Sequence, residues 1–147
     1  MDTIDLRIPP QAKYISVARL TAAAVAAHQA FSYDEIEDLK VAVSEACNLL
    51  IASSRGSGPP LALRFVEEDD ALDIRIEGSG VKPRVLFSGP GAAGQDGEAG
   101  EDRRGLGVFL MQCLVDEVHG PDGDGGIALR LRKKQRENPD GNPSAAQ

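Results

Sequence analysis

The sequence predicts one α+β domain, on three observations. Apolar and polar residues alternate with a period of two at Ile4-Asp5-Leu6-Arg7-Ile8 and again over Leu61–Val66 and Leu72–Glu77, the signature of half-buried strands. Two segments between them, Lys13–Phe31 and Tyr33–Ala52, carry helical periodicity instead. The central strands are separated only by Glu67-Glu68-Asp69-Asp70, a charged turn suited to an antiparallel hairpin. At 147 residues and 41% apolar content, the chain has enough material for one core and not for two.

The elements follow in order. The first strand ends at Pro9-Pro10, which cannot continue a ladder. The first helix is expected to bury a stripe of Val17, Leu20, Ala24 and Phe31. Ser32 or Asp34 then offers a side-chain oxygen to the orphan amides of the second helix. Asp34, Glu35, Glu37 and Asp38 place negative charge near its start, where the macrodipole favours it. Ile36, Leu39, Val43, Ala46, Cys47 and Leu50 share one face, with Val41, Glu45, Leu49 and Ala52 on the other. Beyond Val41 this helix is apolar nearly all round, which predicts cover on both sides. After a Ser/Gly/Pro loop from Ser53 to Pro60 come the two hairpin strands, closed by Gly78-Ser79-Gly80. Ser88–Arg104 is rich in glycine and charge, and a mobile loop is expected there. A third helix is expected over Gly105–Val118, burying Val108, Met111, Leu114 and Val115, and a last strand over Ile127–Leu131. Residues 133–147 read as a disordered polar tail, which sets the domain at 1–132.

Composition excludes several function classes. Sixteen Lys and Arg against 23 Asp and Glu leave a net charge of -7, unsuited to a phosphate backbone, so no nucleic-acid partner is expected. The longest apolar runs, such as Thr21–Ala27, are too short to span a bilayer, and the acidic start Met1–Asp5 does not resemble a signal peptide. No membrane association is expected. Cys47 and Cys113 sit inside helical patterns and read as reduced core residues of a cytoplasmic protein. His28 and His119 lack neighbours at zinc-ligand spacing.

Three segments are candidates for chemistry. Gly105-Leu106-Gly107, with Arg103 and Arg104 before it, ends a glycine-rich loop and opens a helix, where free amides favour an anion; a helix start without a ligand is the alternative. Glu45 is an ionisable group on an otherwise apolar face, either a general base or metal-ordering group or a hydrogen-bonded structural carboxylate. Gly78 and Gly80 either admit a ligand to a strand end or make a turn.

The order of these elements, together with Tyr33-Asp-Glu-Ile-Glu-Asp-Leu-Lys-Val-Ala-Val-Ser-Glu-Ala-Cys47 and Gly105-Leu-Gly-Val-Phe-Leu-Met-Gln-Cys-Leu-Val-Asp-Glu-Val118, resembles the RsbW-type anti-sigma factors. These are serine-protein kinases of the gyrase/Hsp90/histidine-kinase ATPase superfamily. Arg7-Ile-Pro-Pro and Tyr14 to Thr21 resemble the family's first strand and helix, so the likeness covers about residues 3 to 132. It implies a two-layer α/β sandwich of the histidine-kinase-like ATPase type, with a mixed, mainly antiparallel sheet under three helices. It implies a homodimer that holds a sigma factor, is countered by an anti-anti-sigma (STAS) protein, and uses ATP and Mg²⁺ to phosphorylate that protein on serine. Ser88–Arg104 would be the lid over the nucleotide.

Two of the three nucleotide motifs depart from the family pattern. The resemblance implies Glu45 as the base, but the Mg²⁺-binding Asn position is Leu49, and Asn48 lies one place early, about 100° around the helix. The usual histidine four residues on is Ser53. The adenine-binding Asp position is Gly78, followed by the expected Gly80. Only the third motif, with Arg104, Gly105, Leu106 and Gly107 toward the phosphates, is intact. Loss of the adenine partner alone leaves a desolvated amine, worth about 1–3 kcal/mol. The expectation is an anti-sigma factor whose ATP binding is weakened or lost. A competent kinase that recruits Asn48 to Mg²⁺ and a non-enzymatic decoy for anti-anti-sigma proteins are the alternatives.

Overall fold

A computed structural model of the chain describes residues 1–78, 99–120 and 129–136, without the side chains of 53 and 99–105. Five strands form one sheet: β1 (Thr3–Ile8), β2 (Leu61–Glu67), β3 (Ala71–Glu77), β4 (Glu117–His119) and β5 (Leu129–Lys134). Their order is β1-β2-β3-β5-β4, and among the described residues every pairing is antiparallel, where a mixed sheet was expected. Helices α1 (Ile15–His28), α2 (Tyr33–Ser54) and α3 (Ala99–Leu114) cover one face, with α2 packed between α1 and α3. The expected two-layer sandwich is present.

The register explains why one face is dry. Ile4, Phe65, Ile74, Leu131 and Val118 stand opposite one another across all five strands, and Leu6, Leu63, Ile76 and Leu129 form the next row. Both rows face the helices, where Leu39, Val43, Ala46, Leu50 and Met111 complete the core. Alternation sends the intervening residues to the open face: Asp5, Arg64, Arg75, Arg130 and His119 in one row, and Thr3, Val66, Asp73, Arg132 and Glu117 in the other. Ion pairs run across it, with Asp5–Arg64 at 2.8 Å and Asp73 between Arg130 and Arg75. The Arg64 guanidinium holds the exposed Asp5 carboxyl below its usual range.

Helix ends follow capping chemistry. Ser32 Oγ accepts from Glu35 N–H at 3.2 Å, and Glu35 Oε1 accepts from Ser32 N–H at 3.1 Å, a complete capping box. The buried Glu35 also accepts from Arg136 N–H, which ties α2 to the end of β5. Lys133, 4% exposed, donates from Nζ to the carbonyl of Leu114 at 2.6 Å and so caps α3, with Asp38 at 3.5 Å. At the end of α1, Phe31 N–H reaches Ala26 O and Ala30 N–H reaches Ala27 O, while Ala30 sits at φ 60. That closure normally takes glycine, since a Cβ in the left-handed region costs about 1 kcal/mol. Ala30→Gly is therefore expected to raise stability by roughly 0.5–1 kcal/mol in urea unfolding.

The structure corrects several expectations. Helix α1 is shorter than Lys13–Phe31, because a 3-10 turn at Ala12–Tyr14 precedes it. Its buried residues are Ile15, Ala18, Ala22, Val25 and Ala26, whereas Val17 and Leu20 of the expected stripe are 42% and 62% exposed. Both faces of α1 are apolar, and the alanine face lets α2 approach closely. On α2, Leu49 is buried as an all-round apolar helix requires, but Val41 and Ala52 are exposed. Helix α3 begins at Ala99 and ends at Leu114, so residues 99–104 of the expected mobile loop are helical, and residues 88–98 lie outside the described ones. The residues after Leu114 make the unforeseen strand β4. Strand β5 continues to Lys134, and Gln135 and Arg136 remain hydrogen-bonded, so order extends past residue 132. Residues 137–147 lie outside the described set.

The two cysteines do not share one environment. Cys47 is fully buried and burial pushes its thiol up to about 12, whereas Cys113 is exposed on α3. A thiol reagent at pH 8 is expected to modify Cys113 in the native chain and Cys47 only after denaturation. Rapid labelling of both thiols in native protein would contradict this packing.

Candidate functional site

Helices α2 and α3 bring two of the candidate residues together. A Cβ placed on Gly107 would stand 3.1 Å from Glu45 Oε2, so the missing side chain is what allows the carboxylate to lie against α3. Glu45 is only partly buried, so water shares its solvation. Asn48 lies three residues along the same helix and is exposed; Leu49, four residues along, is 5% exposed and belongs to the core. Helix α2 is continuous from Tyr33 to Ser54, so Asn48 keeps its offset of about 100° from position 49.

Gly78 follows the end of β3 and reaches α2 from the sheet side. An added Cβ would lie 2.9 Å from Leu61 Cδ2 and 3.7 Å from Leu50 Cβ. The position is therefore filled from both sides by apolar groups, and a branched or charged side chain there requires Leu61 to turn away. Gly80 lies outside the described residues.

The third motif does not sit where the sequence placed it. Because α3 starts at Ala99, Gly105, Leu106 and Gly107 lie inside the helix and not in its first turn. Amides so far from the start donate to carbonyls four residues back and are not open to an anion. Gly107 is buried and Leu106 is 63% exposed; of Arg104, only its place in the helix is described.

These residues do not suit a magnesium–nucleotide pair as they stand. A hard cation needs oxygen donors, and the side chain at position 49 is hydrocarbon. Among the described residues, no group of three or more His, Cys, Asp or Glu is placed to hold a metal ion. Position 78 has neither a carboxylate nor, with Leu61 and Leu50 beside it, ready space for one. What remains is the Glu45–Gly107 contact and the apolar wall of Leu49 and Leu50. The sequence singled out Glu45, Leu49, Gly78 and Gly107 for this site, but placed Leu50 only on the core face of the second helix and Leu61 only in a strand. Their role depends on how the end of β3 meets α2, which no local pattern records.

Comparison with known proteins agrees with this architecture. Residues 8–133 match the family model described as histidine kinase-like ATPase domain. The chain is 33% identical to the serine-protein kinase RsbW of Bacillus pumilus (strain SAFR-032), over 90% of this chain and 86% of that protein. It is 34% identical to a protein of the same name from Bacillus cereus, over 97% of this chain and 92% of the relative. The likeness to a third, from Bacillus thuringiensis subsp. konkukian (strain 97-27), is equally extensive. No helix among the described residues is long and apolar enough to cross a membrane.

Proposed function

The chain belongs to the histidine kinase-like ATPase domain family, in its RsbW-type branch, and from that membership we propose that it is an anti-sigma factor with weakened nucleotide binding. In this reading it acts in the cytoplasm as a homodimer, sequesters an alternative sigma factor, and releases it to an anti-anti-sigma (STAS) protein. The domain would run from residue 1 through the end of β5, past the expected limit at residue 132. Glu45 would be the retained base position, with Gly78, Gly80, Arg104, Gly105, Leu106 and Gly107 marking the former nucleotide cleft and Asn48 the nearest residual oxygen donor.

The observation that carries the reading is the pairing of near full-length similarity with hydrocarbon at position 49. Similarity along almost the whole chain supports retention of the scaffold and its partner surfaces. The side chain of Leu49 supplies no oxygen, and Leu50 and Leu61 crowd the adenine position, which supports a loss confined to the nucleotide. Regulation would then act through the level of the STAS protein and not through the ATP/ADP ratio.

Co-purification tests it. The tagged chain, expressed with each sigma factor of its own cell, is expected to retain one of them equally with and without millimolar Mg-ATP. Release of the sigma factor by the STAS protein alone is the second expected result. Recovery of a STAS protein but no sigma factor would favour the decoy. Transfer of phosphate from ATP to that STAS protein, abolished by Glu45→Ala, would establish a competent kinase instead.

A further inference from the structure

The inward positions of β5 are Leu129, Leu131 and Lys133. Lys133 stands opposite the fully buried Leu72, on the face that the helices cover. A leucine would continue that row without desolvating a charge, and a buried ammonium is costly unless its protons are placed. The bonds of Nζ go to two helices: it donates to the carbonyl of Leu114 at the end of α3 and lies 3.5 Å from Asp38 Oδ2 on α2.

The residues that follow extend the same pattern. Lys134 N–H donates to Asp116 Oδ2 at 2.7 Å, in the link between α3 and β4. Gln135 N–H donates to Asp70 O at 2.8 Å in the hairpin turn, and its side-chain amide donates to the carbonyl of Gln29, the cap of α1. Arg136 N–H donates to the Glu35 carboxylate of the α2 capping box. Four consecutive residues thus hold one end of every described helix.

Helices α2 and α3 run antiparallel, with Asp38 and Leu114 together at Lys133 and Glu45 and Gly107 together at the other end. Gly107 lies seven residues before Leu114 on a continuous helix, about 10 Å along its axis. At that end Glu45 rests against a residue with no side chain to grip it. We propose that Lys133 is the positioning residue of the candidate site: by clamping the end of α3 to α2, it sets how closely α3 passes Glu45 about 10 Å away. A helix moves as a rod, so a shift at Leu114 is carried to Gly107, and the shared anchor makes the Glu45 end the one that can open. The inference rests on the proposed function only for the meaning of the Glu45–Gly107 site.

Hydrogen exchange and amide NMR of the full chain, without nucleotide or partner, test it through Lys133→Met and Lys133→Arg. Lys133→Met is expected to quicken exchange over residues 107–114 at least about tenfold and to move the Gly107 amide resonance, with β1, β2 and α1 unchanged. Lys133→Arg, which retains donors for Leu114 and Asp38, is expected to restore both. Asp38→Asn, at a partly exposed position, is expected to give the same pattern more weakly, and it decides the matter if Lys133→Met does not fold. Exchange that quickens equally in every element would mean that Lys133 serves stability alone. That result, or an unmoved Gly107 in both folded variants, overturns the proposal. Neither readout involves a sigma factor, so failure here leaves the anti-sigma reading standing, and failed capture leaves the clamp standing.

Discussion

The double variant Leu49→Asn, Gly78→Asp is expected to bind Mg-ATP at least about a hundredfold more tightly than the native chain, measured by isothermal titration. A carboxylate at position 78 offers the adenine amine a partner worth about 1–3 kcal/mol, which alone is ten- to hundredfold. An amide oxygen at position 49 adds a donor where the native side chain has none. Each change has a structural cost. Leu49 is 5% exposed within the core, so an asparagine there is a buried polar group until a cation engages it. The aspartate side chain introduced at position 78 must displace Leu61 Cδ2, which stands 2.9 Å from the new Cβ. The free double variant is expected to lose about 3 kcal/mol of folding stability and to recover part of it on adding Mg-ATP. Micromolar affinity in the native chain would refute the assignment of these two positions.

The second large effect lies on the opposite face of the sheet. Asp73→Ala is expected to cost about 2–3 kcal/mol in urea unfolding. The Asp73 side chain is fully buried and accepts from Arg130 Nε at 2.7 Å, with Arg75 Nε at 3.5 Å from its other oxygen. Breaking a buried pair from one side typically costs about 3–5 kcal/mol. Arg130 and Arg75 are 37% and 39% exposed, so water takes up part of that, and the expected loss falls accordingly. The register adds a further penalty: Arg64, Arg75 and Arg130 stand directly opposite one another on neighbouring strands. Without Asp73, Arg75 and Arg130 face each other with no anion between them. Asp73→Ala combined with Arg130→Ala should therefore cost less than the sum of the two single changes. A strictly additive result would mean that the pair contributes nothing.

The elements most legible in the sequence were those with local punctuation. Ser32 and the acidic residues after it announce the start of α2, the acidic turn announces the hairpin, and Pro9-Pro10 ends β1. Features that depend on tertiary cover were not legible. Periodicity showed that α1 has an apolar stripe at Val17, Leu20 and Ala24, yet the helix also carries an alanine face, and close packing against α2 selected the alanines. Gly105 looked like a helix start because glycine breaks helices locally, but α3 runs through it. Strand β4 is three residues long, too short for a period to register. For the site, the resemblance supplied Glu45, Leu49 and Gly78 as positions. Only the fold supplied the contact between Glu45 and Gly107, and the crowding of Gly78 by Leu50 and Leu61.

The early beginning of α3 sets affinity and order against each other at that end of the molecule. The amides of Gly105, Leu106 and Gly107 are rungs of a ladder that begins at Ala99. An anion that recruits them must first fray the turns in front of them. Any substitution that loosens those turns should therefore make the chain a better receptor for anions and a less helical protein at once, while one that tightens them should do the reverse.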